Sequence, residues 1–235
     1  VGTFHSIALR LLRTHYQEAG LPASFQIIDA GEQQSLIKRL IKQKGLDEDR
    51  YPAKEIQSYI NYQKEQGLRA AQLTPDGLRT QQWLEIYNLY EETCNRDGLV
   101  DFTELLLRSY ELLAMHDGLL RRYQQQFKHI LVDEFQDTNQ LQYLWLKILV
   151  GAESEIFAVG DDDQSIYSFR GAKVSNMRAF LRDFNAPDPL RLEQNYRSTT
   201  TILDAANALI NNNSERIGKN LWTDNAQIDK IRLYE

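Results

Sequence analysis

Cysteine is nearly absent. Cys94 stands alone among 235 residues, which excludes an internal disulfide framework and fits a reducing, cytoplasmic setting. Long apolar runs are missing as well: no stretch approaches the roughly 20 residues that a membrane-crossing helix needs. There is no excess of positive charge either. With 27 basic and 33 acidic residues the formal net charge is −6, so the molecule as a whole is not drawn to a polyanion, and any contact with nucleic acid has to be local. A last absence concerns phosphate. Nowhere does the pattern Gly-x-x-x-x-Gly-Lys-Ser/Thr occur, the backbone cradle whose amides and lysine hold the β- and γ-phosphates of a nucleotide.

What is present is a set of three strand-to-loop runs in the second half. The first, His-Ile-Leu-Val-Asp-Glu-Phe-Gln-Asp-Thr at 129–138, is a short apolar strand that delivers Asp133 and Glu134 to its carboxyl end. Ligands of open α/β sheets gather beyond the carboxyl ends of the strands, so acids placed there can reach a bound phosphate, its metal and its water. The plainer alternative is a capped strand-to-helix turn with Asp137 or Thr138 as N-cap. In the second run, 157–172, an apolar strand opens into Asp161, Asp162 and Asp163, three consecutive acids that repel one another unless solvent, a cation or an arginine offsets them. The same loop supplies Gln164, able to bond a phosphate oxygen or an attacking water. It also carries Tyr167 and Phe169, flat faces for nucleobases, and Arg170 for a backbone phosphate. The rings also read as core anchors and the acids as a solvated turn. The third run, 190–199, is a strand pattern ending in Tyr196 and Arg197.

Together these runs resemble superfamily 1 helicases of the UvrD/PcrA/Rep group. VDEFQDT at 132–138 is similar to motif II, VGDDDQSIYSFRGA at 159–172 to motif III and LEQNYRS at 192–198 to motif IV. The GTFHS stretch at 2–6 resembles the motif between the strand-contacting loops, and the segments at 98–107 and 218–224 extend the likeness over essentially the whole chain.

The resemblance implies a role for each matched residue. Asp133 would hold the Mg²⁺ of Mg-ATP through water, and Glu134 would orient and deprotonate the attacking water. Gln164 would sense the γ-phosphate, Tyr196 would stack on adenine and Arg197 would bind the γ-phosphate, with a structural salt bridge as the plain alternative for Arg197. Thr3, His5, Tyr167, Phe169 and Arg170 would touch single-stranded DNA; a lone histidine such as His5 is more often only a hydrogen-bonded residue. The family usually has tryptophan where this chain has Phe169, so stacking there is expected to weaken without disappearing. The chain begins at Val1 without methionine and inside a motif, and it reads as a piece of a longer protein. The implied phosphate loop then lies upstream, and motifs V and VI with the arginine finger lie downstream. This piece alone is expected to lack DNA-stimulated ATPase and unwinding.

Periodicity divides the chain. Over residues 1–127 apolar positions recur at helical spacing, as at Ile7, Leu11 and Leu12 and at Leu36, Leu40 and Ile41, and this half reads as almost wholly helical. Breakers cluster at 20–22, 45–52, 67–77, 97–98 and 116–118, so several short helices pack together. Tyr59, Tyr62, Trp83, Tyr87, Tyr90 and Tyr110 read as glue between them. From 128 onward strand, loop and helix repeat, with strands expected at 129–133, 156–160 and 190–193, buried in a parallel sheet, and helices at 141–150, 174–184 and 200–212. A further strand is expected at 230–234. The fold class is therefore α/β and helix-rich. By the resemblance it is a partial RecA-like (P-loop NTPase) parallel sheet with a large all-helical insertion. Residues 1–127 form that insertion, 128–193 the second half of the first RecA-like domain, and 194–235 the start of the second.

The favoured function, as the resemblance implies, is the central portion of an ATP-dependent, 3′ to 5′ DNA helicase. Its ligands would be ATP and Mg²⁺, its partners single-stranded DNA, single-strand/duplex junctions and repair or replication proteins, with no membrane. The alternatives are a non-catalytic DNA-binding or interaction module and the helicase arm of a helicase-nuclease.

Overall fold

Capping residues mark where the helices start. The computed structural model describes residues 1–167, 171–213, 216–226 and 230–232. Helix α1 (Phe4–Thr14) begins at Thr3, whose hydroxyl accepts the Ser6 N–H at 3.2 Å. Helix α2 (Ala30–Gln43) is opened by a reciprocal pair, Asp29 bonding the Glu32 N–H and Glu32 the Asp29 N–H. Helices α3 (Ala53–Glu65) and α4 (Leu78–Asp97) follow, and α4 stops at Gly98, whose φ of 67° few other residues adopt without strain. Asp101 then caps α5 (Phe102–Met115), and α6 (Asp117–Gln126) completes the first half.

The first half is not wholly helical, as periodicity alone suggests. Strands β1 (Gln26–Ile28) and β2 (Leu99–Asp101) pair in parallel, with Ile28 opposite Asp101. Each leads directly into a capping aspartate and a helix, so the two-stranded ribbon aligns the starts of α2 and α5. Apolar packing joins α2, α3 and α4 through Leu36, Ile37, Ile41, Ile56, Ile60, Ile86, Tyr87 and Tyr90. A second cluster joins α1 and α5 to α7 through Ala8, Leu11, Leu107, Leu141 and Trp145. Tyr87 and Tyr90 are fully buried glue, whereas Tyr62 is exposed.

An unexpected ionic cluster pins this half together. Lys64, at the end of α3, is almost fully buried, and its ammonium meets Asp101 at 2.6 Å and Glu104 at 2.9 Å. Arg69 pairs with Glu104 at 2.7 Å, Glu91 at 3.0 Å and Glu111 at 2.5 Å, and Arg108 reaches Glu104 at 2.7 Å. Burial alone would raise the Glu104 pKa, but Lys64, Arg69 and Arg108 hold it well below the ordinary carboxylate value.

The second half follows the expected alternation. Strands β3 (His129–Val132) and β4 (Glu155–Ala158) pair in parallel, with Val132 opposite Ala158, and α7 (Gln140–Leu149) makes the crossover between them. Helices α8 (Ser175–Asp183) and α9 (Thr200–Ile210) lie where expected. Two expectations need correction. The strands are covered on one face only: Val132 packs with Phe135, Tyr143 and Leu146, while Leu131 and Phe157 on the other face are 77% and 59% exposed. Residues 190–193 form no strand. They pair with neither β3 nor β4; in backbone pairing Glu193 and Gln194 meet Trp222, through one hydrogen bond and an isolated bridge, and Leu190 and Leu192 are exposed. Of the strand expected at 230–234, residues 230–232 are not a strand and the rest lies outside the described residues. Among the described residues the fold is a helix-rich α/β arrangement with two short parallel sheets, and none of their helices is long and apolar enough to cross a membrane.

Candidate functional site

The carboxyl end of β3 is organised by one strained residue. Glu134 has φ 51°, a left-handed conformation that side chains other than glycine seldom adopt, and it turns the chain sharply as the strand ends. Asp133 supports the turn by accepting the Glu134 N–H at 2.9 Å. Phe135 then enters the core against Phe180 at 5.2 Å, while Asp133 and Glu134 stay at the surface. Their exposure beyond the strand end is what phosphate chemistry requires of such acids.

Gln136 ties this turn to the next. Its buried amide donates through Nε2 to Glu134 Oε2 at 2.7 Å and accepts through Oε1 the Asp161 N–H at 2.9 Å. The approach is close because Gly160 has no side chain: a Cβ there would sit 2.8 Å from Gln136 Oε1 and 3.2 Å from its backbone nitrogen. Asp161 in turn accepts the Gln164 amide at 2.6 Å. A continuous chain of hydrogen bonds therefore runs from Glu134 through Gln136 and Asp161 to Gln164. Farther along, the buried Asn176 amide donates to the Thr138 carbonyl at 2.9 Å, and Lys173 N–H does so at 3.0 Å, holding the far end of the loop against the same turn.

Electrostatics distinguish the acids. Burial alone would raise the Asp161 pKa, but hydrogen bonds from Lys219 and Gln164 hold it below the usual carboxylate range. Burial, then the negative charge of Glu134, pushes Asp137 up, and its Oδ1 is enclosed without a hydrogen-bond partner. The carboxylates of Asp161, Asp162 and Asp163 come within 4.8 Å of one another, a spacing that could hold a metal ion. Arg216 and Lys219 already offset them, however, at 2.6 Å from Asp163 and 2.5 Å from Asp161, and the Ile217 N–H bonds Asp162. Asp133 is the better magnesium candidate: it is an exposed hard-oxygen donor, and no cation pairs with it among the described residues.

The other expected site residues are more scattered. Tyr196 and Arg197 lie on an exposed turn, where Asn195 Oδ1 accepts the Arg197 N–H at 2.9 Å and the Tyr196 hydroxyl donates to Gln194 at 2.7 Å. The Arg197 guanidinium makes no ion pair among the described residues, so the structure links Asp133, Glu134 and Gln164 but does not join Arg197 to them. Thr3 serves as the α1 cap. His5 packs edge-on to Phe102 at 6.2 Å, and burial lowers its pKa, keeping the imidazole neutral near pH 7. Tyr167 is partly buried and its carbonyl accepts the Ala172 N–H, while Phe169 and Arg170 lie outside the described residues. Sequence reasoning assigned no role to Gln136, although it sits inside the quoted motif, nor to Arg216. The repulsion of three adjacent aspartates was the signal that a cation had to be near.

Comparison with known proteins agrees with this arrangement. Residues 1–185 match the UvrD/REP helicase N-terminal domain, and residues 190–235 match the UvrD-like helicase C-terminal domain. The whole chain is 54% identical to DNA helicase II of Haemophilus influenzae, covering 32% of that protein, and 52% identical to DNA helicase II of Escherichia coli, covering 33%. It is also 40% identical, over its whole length, to the ATP-dependent DNA helicase PcrA of Leuconostoc citreum, covering 32% of that protein. The chain thus spans about a third of the length of these curated relatives. Matched by helicase domain models over residues 1–185 and 190–235, and carrying exposed acids at the end of a parallel strand that Gln136 joins to a glutamine-bearing loop, this chain belongs to the UvrD/REP helicase family.

Proposed function

We propose that this chain is the central portion of an ATP-driven DNA helicase that moves 3′ to 5′ along single-stranded DNA and opens duplex ahead of it, in DNA repair or replication. The observation that carries the reading is the hydrogen-bonded chain from Glu134 through Gln136 and Asp161 to Gln164, which makes the two acidic strand ends one site. In this reading β3, β4 and α7 belong to the second half of a RecA-like domain over residues 128–193. Residues 1–127 are a helical insertion facing the DNA, and residues 194–235 start a second RecA-like domain.

The chemistry is assigned as follows. Asp133 would hold Mg²⁺, which when bound would supply charge neutralisation to the phosphates. Glu134 orients the attacking water and takes its proton; one of its carboxylate oxygens is fixed by Gln136, and the other has no hydrogen bond among the described residues. Gln164 contacts the γ-phosphate and Arg197 binds it from the second domain, which requires the exposed Arg197 turn to close toward Glu134 when ATP binds. Tyr196 stacks on adenine. Thr3, His5, Tyr167, Phe169 and Arg170 meet the single strand, with the rings stacking on bases. The relatives' names, DNA helicase II and ATP-dependent DNA helicase PcrA, support DNA as substrate and ATP as fuel.

The test is made on the intact protein. Duplexes carrying a 3′ or a 5′ single-stranded tail are offered with ATP, and unwinding from the 3′-tailed duplex alone is expected. Unwinding from the 5′ tail alone overturns the polarity, and no DNA-stimulated ATP hydrolysis overturns the motor.

A further inference from the structure

Three adjacent aspartates, next to the glutamine proposed to sense the γ-phosphate, form an electrostatic liability, because their like charges repel one another. The structure shows how that charge is met. Arg216 lays its guanidinium on Asp163 with Nε at 3.0 Å and Nη2 at 2.6 Å, a two-pronged contact that fixes direction as well as distance. The next backbone N–H, from Ile217, donates to Asp162 at 2.5 Å, and Lys219 reaches Asp161 at 2.5 Å. Arg216 is itself aimed by Asn211, which accepts from Nη1 at 2.7 Å, and by the Lys219 carbonyl, which accepts from Nη2 at 2.7 Å. The paired side chains are largely sheltered, with relative exposures of 10% and 13% for Arg216 and Asp163.

Each aspartate of the loop is therefore engaged by a short segment more than fifty positions later in the chain. That segment lies in the part matching the C-terminal helicase domain, whereas the aspartates lie in the part matching the N-terminal domain. Asp161, the acid Lys219 holds, is also the acid that accepts the Gln164 amide and whose own N–H is fixed by Gln136.

We propose that Arg216 and Lys219 are positioning residues that latch the second unit to the triple-aspartate loop and, through Asp161, set the direction of the Gln164 amide. The latch offsets two of the loop's three negative charges, leaves the third with a backbone N–H, and makes the placement of Gln164 depend on where the second unit sits. This inference rests on the helicase reading, because it gives that site a link to the following domain.

The experiment uses the intact protein and follows DNA-stimulated ATP hydrolysis against ATP concentration. For Arg216→Ala combined with Lys219→Ala, kcat is expected to fall at least tenfold while KM for ATP stays within about threefold. Arg216→Lys keeps the charge but loses the two-pronged contact, so it is expected to lose less of the rate than Arg216→Ala without matching the parent, and the swap of Asp163→Arg with Arg216→Asp is expected to exceed either single variant. Unchanged kcat in the double alanine variant overturns the proposal while leaving the motor standing. Equal losses for the lysine and alanine variants, with no recovery in the swap and a lowered melting temperature throughout, reduce the pair to a folding element and also overturn it. A wild-type protein without ATPase refutes the helicase reading instead. The latch is then judged by a double-mutant cycle of thermal unfolding, in which additive effects of Asp163→Ala and Arg216→Ala refute it.

Discussion

At the residue scale, the site depends on a glutamine amide that supports the two strand-end turns. Gln136 is buried and both ends of its amide are used, one by Glu134 and one by the Asp161 N–H. Gln136→Ala leaves the part-buried Asp161 N–H without a partner and a carboxylate without its fixed donor, a loss of about 1–3 kcal/mol in stability. A fall of tenfold or more in ATP turnover of the intact protein is expected beside it, read by steady-state hydrolysis; full activity would show that the bridge does not orient Glu134. Gly160→Ala attacks the same contact from the other side, since the added methyl meets the Gln136 side chain and backbone together. It is expected to lower the denaturation midpoint and turnover in parallel, and a variant as stable and active as the parent would contradict the close approach.

At the element scale, α3 carries the clearest energetic consequences. Lys64 ends that helix inside a ring of carboxylates, so Lys64→Met leaves Asp101 and Glu104 short of a cation in a dry site. The expected cost is about 3–5 kcal/mol, visible as a lower denaturant midpoint. The neighbouring Glu65 works in the opposite sense. Its carboxylate lies against Gly171, where a Cβ would come within 2.8 Å, and burial raises its pKa from 4.5 to about 7. Between those values the folded state holds more protons than the unfolded one, so stability falls as pH rises from 4.5 through 7. Glu65→Gln removes that dependence and is expected to gain roughly 1–3 kcal/mol at pH 8 relative to pH 4, measured by denaturation at both pH values. An unchanged slope would show that Glu65 is solvated.

The same scale shows how far the sequence could be read. Strands β3 and β4 and helices α7, α8 and α9 were legible to within a residue or two, because each couples an apolar run to a capping or breaking residue. Strands β1 and β2 were not: three residues show no period, and their pairing joins positions some seventy residues apart. The expected strand at 190–193 had the right alternation but lacks a neighbour to pair with, which pattern cannot reveal. In the candidate site, the positions of Asp133, Glu134 and Gln164 beyond the strand ends were readable from the apolar runs before them. The Gln136 bridge was hidden, since its inward direction follows from the positive φ at Glu134. No pattern in the sequence marks Lys64 as buried; its place follows from the packing of α3 against α5.

At the scale of the whole molecule, the sheet presents Leu131 and Phe157 to solvent, and Leu190 and Leu192 are exposed as well. Apolar groups exposed in this way bind hydrophobic dyes, so the 235-residue chain alone is expected to enhance the fluorescence of an anilinonaphthalene sulfonate, and Leu131→Lys with Phe157→Lys to reduce it. These residues also contain no phosphate loop, so the same chain is expected to show no DNA-stimulated ATPase. The central claim, that two acidic strand ends form one ATP-hydrolysing site, is tested most directly by Glu134→Gln in the intact protein. Nucleotide affinity should stay within a few-fold, and the steady-state rate of DNA-stimulated hydrolysis should drop by about 10²–10⁴, because shape is kept and the proton acceptor is lost. Hydrolysis at the parent rate would contradict the account.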